Sequence, residues 1–370
     1  MQVRQTVNQP HPNRSGFTLV EVLMVIAIIG IIVGLTVPAV NIAMRGVKQS
    51  AIALECNTLG DAVNKYNSKY GDYPPDGSDV NSMTRHLRKI FPQIAASEIN
   101  LLTGALAVPA GNPAVANHAA SGVPGAVMDP PEALVFFLGG FSSDPVHPFT
   151  GSGGPLFITY AGTTVVSIQY NVDRTNPLFE FKQSQLTLDT NAAGLTVSSD
   201  DALTGGVVDL LPAYVPPRST MPYVYFDSRT YRVQPDPSNG RPSAEFNRYI
   251  PTGRGLVAPY RSTEENTKVA LSATPTLNEL NLRHRWMNEK GFQVISAGLD
   301  DHFGGSAGLF YMFKPQGGTG ATTSQSGDSL NVSNGAVGSN KGFRDTDGGM
   351  FQLDNVSNFS DGRFSDSLDN

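Results

Sequence analysis

A long apolar run near the N-terminus constrains this chain more than any other feature of its sequence. From residue 17 to residue 44 the only charged side chain is Glu21. At about 1.5 Å of rise per residue, a helix over residues 22–44 spans about 35 Å, enough to cross a bilayer. A secretory signal has a shorter apolar region, of about 7–15 residues. The run therefore predicts one membrane-spanning helix that contains a carboxylate.

The two flanks of this run carry similar positive charge. Residues 1–16 are polar, contain no acidic side chain and carry Arg4 and Arg14, which predicts a leader. Arg45 and Lys48 follow the run closely. Because basic residues stand on both sides, the positive-inside rule leaves the orientation of the span open.

Composition and motifs exclude several classes of function. The chain has 370 residues, is 40% hydrophobic and carries a formal charge of -6 without a Lys/Arg block, so it can bury a core and is not expected to bind nucleic acid. The single cysteine, Cys56, excludes an internal disulfide framework. The six histidines show no metal-ligand spacing. Ser306 in GGSAG is followed directly by an apparent strand, not a helix, so a hydrolase is not predicted and we expect no enzyme.

The residues around the start of the run resemble a known processing signal. SGFTLVEVLMVIAIIGIIVGLTVPAV, residues 15–40, is similar to the class III signal of type IV prepilins and type II secretion pseudopilins. The resemblance implies that a prepilin peptidase cleaves after Gly16 and that the new N-terminus, Phe17, is methylated. It also implies a single-pass inner-membrane protein with its head in the periplasm. The implied partners are further copies in a filament, other pseudopilins and an inner-membrane assembly platform.

This resemblance suggests a physical role for Glu21. Cleavage creates an ammonium group on Phe17, close to Glu21, and neither charge is stable alone in hydrocarbon. In a staggered bundle of identical helices, Glu21 of one subunit can pair with the Phe17 amine of a neighbour. The buried acid then sets the register of assembly, as a polar core residue does in coiled coils. The alternative is that Glu21 lies at the headgroup boundary and reaches water.

Two further features of the span bear on helix packing. Gly30 and Gly34 form a GxxxG pair, a spacing that allows helix backbones to approach closely. Pro38 lacks a backbone N–H, so a kink or a loosened helix is predicted around residues 34–38.

Residues 45–71 are predicted to continue the same helix outside the membrane. Gly71 suits a left-handed cap, and Pro74 and Pro75 prevent further helix, so the helix is expected to end there. YNSKYGDYPP, residues 66–75, again resembles the major pseudopilins. We expect one apolar stripe to pack on the head: Val40, Met44, Val47, Ala51, Leu54, Thr58, Ala62, Tyr66 and Tyr70.

Residues 72–370 are expected to form an α+β head, so that the fold class is a long N-terminal helix packed on a C-terminal antiparallel β-sheet head, pilin-like with large insertions. YVYF, FQVIS and LFYMF, at residues 223–226, 292–296 and 309–313, predict strands. Residues 82–91 and 130–140 predict short helices. Residues 104–128 and 315–342 are rich in small and polar residues and predict loop-rich insertions.

The C-terminal region contains a candidate calcium site. SAGLDDHFG, residues 296–304, resembles the element that precedes the calcium loop of major pseudopilins, and further aspartates follow it. Calcium takes six to eight oxygen ligands, which closely spaced Asp and carbonyl groups can supply. Solvated turn aspartates are the alternative. The candidate ligands are Asp300, Asp301, Asp345, Asp347 and Asp354.

The sequence leads to one functional hypothesis with two alternatives. We expect a structural pseudopilin-like subunit of a type II secretion system, polymerised through its N-terminal helix to support protein export. The enlarged head allows a minor type IV pilin or adhesin instead. A membrane-anchored enzyme or binding protein that uses the prepilin route for export is the alternative from a different class.

Overall fold

The protein has a long apolar N-terminal helix followed by antiparallel β-sheets, an α+β arrangement with a pilin-like layout. The chain divides into two compact units between Lys48 and Gln49. The computed structural model describes residues 16–103, 113–114, 127–200, 208–231, 247–251, 253–270, 272, 279, 282–304, 309–313, 329–331, 337–338, 354–360 and 362–364.

Four α-helices are described over their full length, and Glu279, Leu282 and Arg283 are also helical. The bounds of the four helices are α1 Leu19–Tyr70, α2 Val80–Ile90, α3 Ala96–Thr103 and α4 Pro130–Leu138. The structure therefore confirms the two short helices that the sequence predicts, within one or two residues at most ends, and adds α3. Short 3₁₀ turns lie at Gln183–Gln185 and Ser228–Thr230.

The described strands form five small sheets. A three-stranded antiparallel sheet has the order β14-β10-β7, and a five-stranded sheet has the order β13-β12-β11-β8-β9, in which β8 and β11 are parallel. The pairs β2–β3 and β4–β5 are antiparallel, and β1–β6 is parallel. The strands are β1 Pro113–Ala114, β2 Leu156–Ala161, β3 Thr164–Tyr170, β4 Leu188–Thr190, β5 Thr196–Ser198, β6 Val208–Asp209, β7 Val224–Asp227, β8 Arg261–Glu265, β9 His284–Trp286, β10 Phe292–Ser296, β11 Leu309–Phe313, β12 Ser329–Asn331, β13 Val337–Gly338 and β14 Val356–Ser357.

The end of α1 follows the local signals in the sequence. Gly71 has φ of +70°, a left-handed conformation that a side chain would strain. Its N–H donates to the Asn67 carbonyl at 2.8 Å. The prolines Pro74 and Pro75 then prevent the helix from resuming. Gly71 therefore ends α1 at Tyr70, as predicted.

The buried face of α1 differs from the predicted stripe. Ala62 and Tyr66 are buried as expected, but Val47 and Leu54 are 66% and 70% exposed. The face that packs on the head consists of Ile52, Cys56, Leu59, Gly60, Ala62, Val63 and Tyr66.

Close approach of β10 to small side chains explains this choice of face. The Cys56 thiol lies 3.4 Å from the Val294 carbonyl, to which it donates. A Cβ added at Gly60 would lie 3.7 Å from the ring of Phe292, a neighbouring residue of β10. A cysteine and a glycine let the strand come nearer than a leucine would, so the stripe containing Leu54 turns to the surface.

Helix α4 is fully buried and is fixed at both ends. At its start, Asp129 and Glu132 form a capping box, in which each side chain accepts from the backbone N–H of the other. At its end, the Arg174 guanidinium donates to the carbonyls of Val135, Phe136 and Gly140. These contacts satisfy the polar groups that a buried helix leaves without intrahelical partners.

Apolar side chains form two clusters in the head. The first joins α1, α2, α4 and the β2–β3 hairpin and includes Tyr66, Leu87, Phe137 and Ile168. The second is built on β7 to β11 and includes Trp286, which is 6% exposed. Trp286 and Cys56 are thus core residues.

The two predicted insertions contain short strands. β1 lies within residues 104–128, and Val127 and Met128 at the end of this range are buried in the first cluster. β12 and β13 lie within residues 315–342 and extend the sheet from β11. β12 pairs with β11, and β13 pairs with β12, so the backbone N–H and C=O groups of both strands find partners in the sheet.

Candidate functional site

The predicted processing site lies just before the first turn of α1. Gly16 and Phe17 precede Leu19, where the helix begins, and Phe17 is 88% exposed. A Cβ added at Gly16 would meet no atom within 4 Å. Packing within the described part of the chain therefore does not require glycine at this position. Cleavage after Gly16 stays a prediction.

Glu21 forms a capping box with Thr18 at the start of α1. The Thr18 backbone N–H and hydroxyl donate to Glu21 Oε2 at 2.8 Å and 2.9 Å. The Glu21 N–H donates to the Thr18 hydroxyl at 3.2 Å. The TLVE sequence is the capping-box pattern, which satisfies two otherwise unpaired backbone donors. The carboxylate thus has hydrogen-bond partners within its own chain.

The apolar half of α1 offers an uninterrupted surface to its surroundings. It is long and apolar enough to cross a membrane, with a window of mean hydropathy 2.8 that is 0% buried. A Cβ added at Gly30 or Gly34 would meet nothing within 4 Å. The helix continues through Pro38, and the predicted loosening there stays a prediction. This surface has the room that a second helix needs for close approach.

The predicted calcium ligands are only partly brought together. The Asp354 carboxylate accepts from the backbone N–H of Leu299 at 2.5 Å and of Asp300 at 2.9 Å. Asp301 instead accepts from the N–H and hydroxyl of Thr220 at 3.1 Å and 3.2 Å. Asp300 and Asp354 are therefore neighbours, whereas Asp301 binds the loop before β7. Asp345, Asp347 and Ser306 lie outside the described residues.

The electrostatics around Asp300 and Asp354 suit a cation. Burial raises the pKa of Asp300 to about 7, and the nearby Asp354 carboxylate adds to this increase. The Gln49 amide donates to the Asp354 carbonyl at 2.8 Å. Within the described part of the chain, no hydrogen-bond donor is found for the buried oxygens Gln49 Oε1 and Asp354 Oδ1. Carboxylate and amide oxygens are calcium ligands, so these residues fit part of a calcium shell.

A second carboxylate cluster, which the sequence did not indicate, lies at the start of α4. Oxygen atoms of Glu132, Asp200 and Asp209 all lie within 4.8 Å of one another, the one such group in the described part of the chain. Glu132 and Asp209 are fully buried. Burial raises the pKa of Glu132 well above its usual value, and the negative charges of Asp209, Asp129 and Asp200 add to the effect. The DPPE capping pattern was visible in the sequence, but the approach of the two distant aspartates was not.

Comparison with known proteins identifies the N-terminal segment. The family model for the prokaryotic N-terminal methylation motif matches residues 11–37. Neither a curated protein nor a solved structure matches the chain. The chain thus carries the class III signal found in type IV pilins and pseudopilins, which implies processing by a prepilin peptidase, an inner-membrane anchor and a membrane-associated filament.

Proposed function

We propose that this protein is a pseudopilin-like structural subunit of a type II secretion system, cleaved between Gly16 and Phe17 and polymerised through α1 to support protein export. The observation that carries the proposal is a methylation motif at residues 11–37 that continues into an exposed apolar span, residues 17–44, whose one charged side chain is Glu21. In this proposal the head lies in the periplasm. The chain itself catalyses nothing, and a cytoplasmic ATPase supplies the energy of assembly.

The proposed assembly step uses the two charges at the start of the mature helix. After cleavage, the Phe17 ammonium of one subunit pairs with Glu21 of its neighbour, which removes two isolated charges from hydrocarbon. The pairing is favourable only at one stagger of the helices, so it fixes their register. The open surface at Gly30 and Gly34 allows the backbones to approach within this bundle.

Replacement of Glu21 tests this function. We expect Glu21→Ala to be cleaved and to remain in the membrane, but to form no filaments. Thr36→Val is the matched control, because it changes another polar side chain of the span whose hydroxyl bonds the Ile32 carbonyl of its own helix. Electron microscopy and immunoblotting of sheared fractions give the readout, and mass spectrometry of the native N-terminus should find methylated Phe17. Filaments formed by Glu21→Ala at the level of Thr36→Val would contradict the proposal.

A minor type IV pilin or adhesin is the alternative within the same class, and the large head of residues 72–370 favours it. A membrane-anchored enzyme or binding protein is the alternative from another class. Deletion of the gene separates the first two, since loss of secreted proteins indicates export and loss of adhesion indicates a pilus. An activity that Glu21→Ala retains in full, without any filament, would indicate the anchored protein.

We further propose that Asp300 and Asp354 bind calcium together with oxygens of neighbouring residues. The support is their proximity, the raised pKa of Asp300 and a buried Asp354 oxygen that has no donor among the described residues. Calcium should raise the melting temperature of the full-length protein in detergent, and Asp300→Asn should remove that increase. Asp301→Asn is the control, because Asp301 faces Thr220. An equal calcium effect in Asp300→Asn and the unmodified protein would exclude this site.

A further inference from the structure

The hairpin of β2 and β3 leaves one edge of β2 unpaired within the described part of the chain. β2 pairs with β3 in an antiparallel sheet of two strands. Phe157 and Tyr160 on β2 are 55% and 56% exposed. The Leu156 N–H at the start of β2 donates to the Phe149 carbonyl at 3.0 Å, so the positions open to another strand follow Leu156. Backbone donors and acceptors there, beside exposed aromatic side chains, form a surface onto which another strand can be added.

This edge lacks most features that prevent strand addition. Natural edge strands are protected by charged side chains, by proline or by bulges. Residues 148–172 contain no Asp, Glu, Lys or Arg, and β2 contains no proline. In this hairpin the protection is a register shift between Thr159 and Tyr160, which leaves residues 156–159 regularly paired. Phe, Ile, Thr and Tyr all favour the strand conformation.

We propose that β2 pairs edge to edge, in antiparallel orientation, with β2 of a second copy of this chain. Two identical strands that carried charge would repel each other, but these strands are neutral over the whole hairpin. A charged partner would find no opposite charge here. Membrane anchoring through α1, which is taken from the proposed function, concentrates copies in one plane and favours a contact that is weak in solution.

The symmetry of this contact distinguishes it from filament assembly. An antiparallel pair of identical strands is related by a two-fold axis, so the contact is complete with two subunits. A filament needs a head-to-tail contact that repeats along its axis. The β2 contact therefore joins two subunits in the membrane, or subunits of two neighbouring filaments, and goes beyond polymerisation through α1.

Cysteine crosslinking in a background without helix-driven assembly tests the contact. Full-length Glu21→Ala protein is prepared in native membranes with Thr159→Cys on β2 or, as the matched control, Val166→Cys on β3. Val166 is also exposed, at 42%, but lies on β3 and not on the edge of β2 that is proposed to pair. The native Cys56 is fully buried and should not react. A short bismaleimide reagent then reports which position lies near its counterpart in a second copy.

We expect homodimers from Thr159→Cys and about tenfold fewer from Val166→Cys. Adding Phe157→Lys should reduce the Thr159→Cys dimer by about tenfold, because it places one lysine from each copy on the paired edge, two residues from position 159. Equal crosslinking at both positions, absence of a homodimer, a product with another protein, or a dimer unaffected by Phe157→Lys would each overturn the proposal. Melting temperatures of the variants control for folding. Because every arm carries Glu21→Ala, the result is independent of whether Glu21 directs filament assembly.

Discussion

Two kinds of group can pair with the Glu21 carboxylate: hydrogen-bond donors of its own chain and, in the proposed filament, an ammonium group of a neighbouring chain. Within one chain, Thr18 supplies hydrogen bonds at 2.8 Å and 2.9 Å but no charge. In the proposed filament, the Phe17 ammonium of a neighbour would supply the opposite charge. The capping box lowers the cost of the carboxylate in the single subunit without neutralising it, so assembly retains a driving force.

Removal of the Thr18 hydroxyl separates these two roles. Thr18→Val should weaken the first turn of α1 by about 0.5–2 kcal/mol, because the helix loses its N-cap. Amide hydrogen exchange at residues 19–21 in detergent should become faster. Filaments should still form, since the Glu21 carboxylate remains. If Thr18→Val lost filaments as completely as Glu21→Ala, the cap itself would be required for assembly.

At the level of elements, α1 shows what determines which face of a helix is buried. Two stripes of similar periodicity run along its outer half, and the one with Ile52, Cys56, Leu59, Val63 and Tyr66 is buried. Glu55 lies beside this face, where the Tyr214 and Tyr223 hydroxyls donate to its carboxylate at 2.8 Å and 2.9 Å. Close packing of this face and the tyrosine hydrogen bonds to Glu55 together fix the rotation of the helix about its axis.

Two single side-chain truncations on α1 test which face of the helix is buried. Leu59→Ala removes a fully buried side chain and should lower the free energy of unfolding by about 2–5 kcal/mol. Leu54→Ala changes a side chain that is 70% exposed and should change it by less than about 0.5 kcal/mol. Denaturant unfolding of the full-length protein in detergent gives both values. Similar losses from the two variants would show that the stripe containing Leu54 is also buried.

At the level of the whole molecule, the carboxylate cluster depends on three distant segments. Glu132 belongs to α4, Asp200 follows β5 and Asp209 belongs to β6. Their mutual repulsion and burial raise the pKa of Glu132. Stability from an acid with a raised pKa is present at low pH and is lost as the pH rises through the pKa of the folded state.

The pH dependence of stability tests this coupling. In the presence of a chelator, the melting temperature should fall with rising pH more steeply for the unmodified protein than for Glu132→Gln. Glutamine keeps the capping box but carries no charge. Asp189→Asn, which changes an exposed aspartate of β4, is the control and should keep the original slope. Identical slopes for Glu132→Gln and the unmodified protein would show that Glu132 does not titrate in this way.

Local signals in the sequence determined where several helices and strands begin and end. The span from residue 17 to residue 44, the stop at Gly71, and the strands at residues 292–296 and 309–313 could all be predicted, because hydropathy, φ preference and strand propensity act between near neighbours. The methylation motif could be recognised for the same reason, since its signal is contiguous along the chain.

Contacts between distant residues were decided by the tertiary structure. Both stripes of α1 have helical spacing, and the approach of β10 to Cys56 and Gly60 selects the buried one. Asp300 and Asp301 are adjacent in sequence, but the fold turns one towards Asp354 and the other towards Thr220. The sequence therefore determined the long apolar helix and the methylation motif at its start. Which of its side chains meet depended on packing, because the energy of a contact is set by both partners and only the fold places them together.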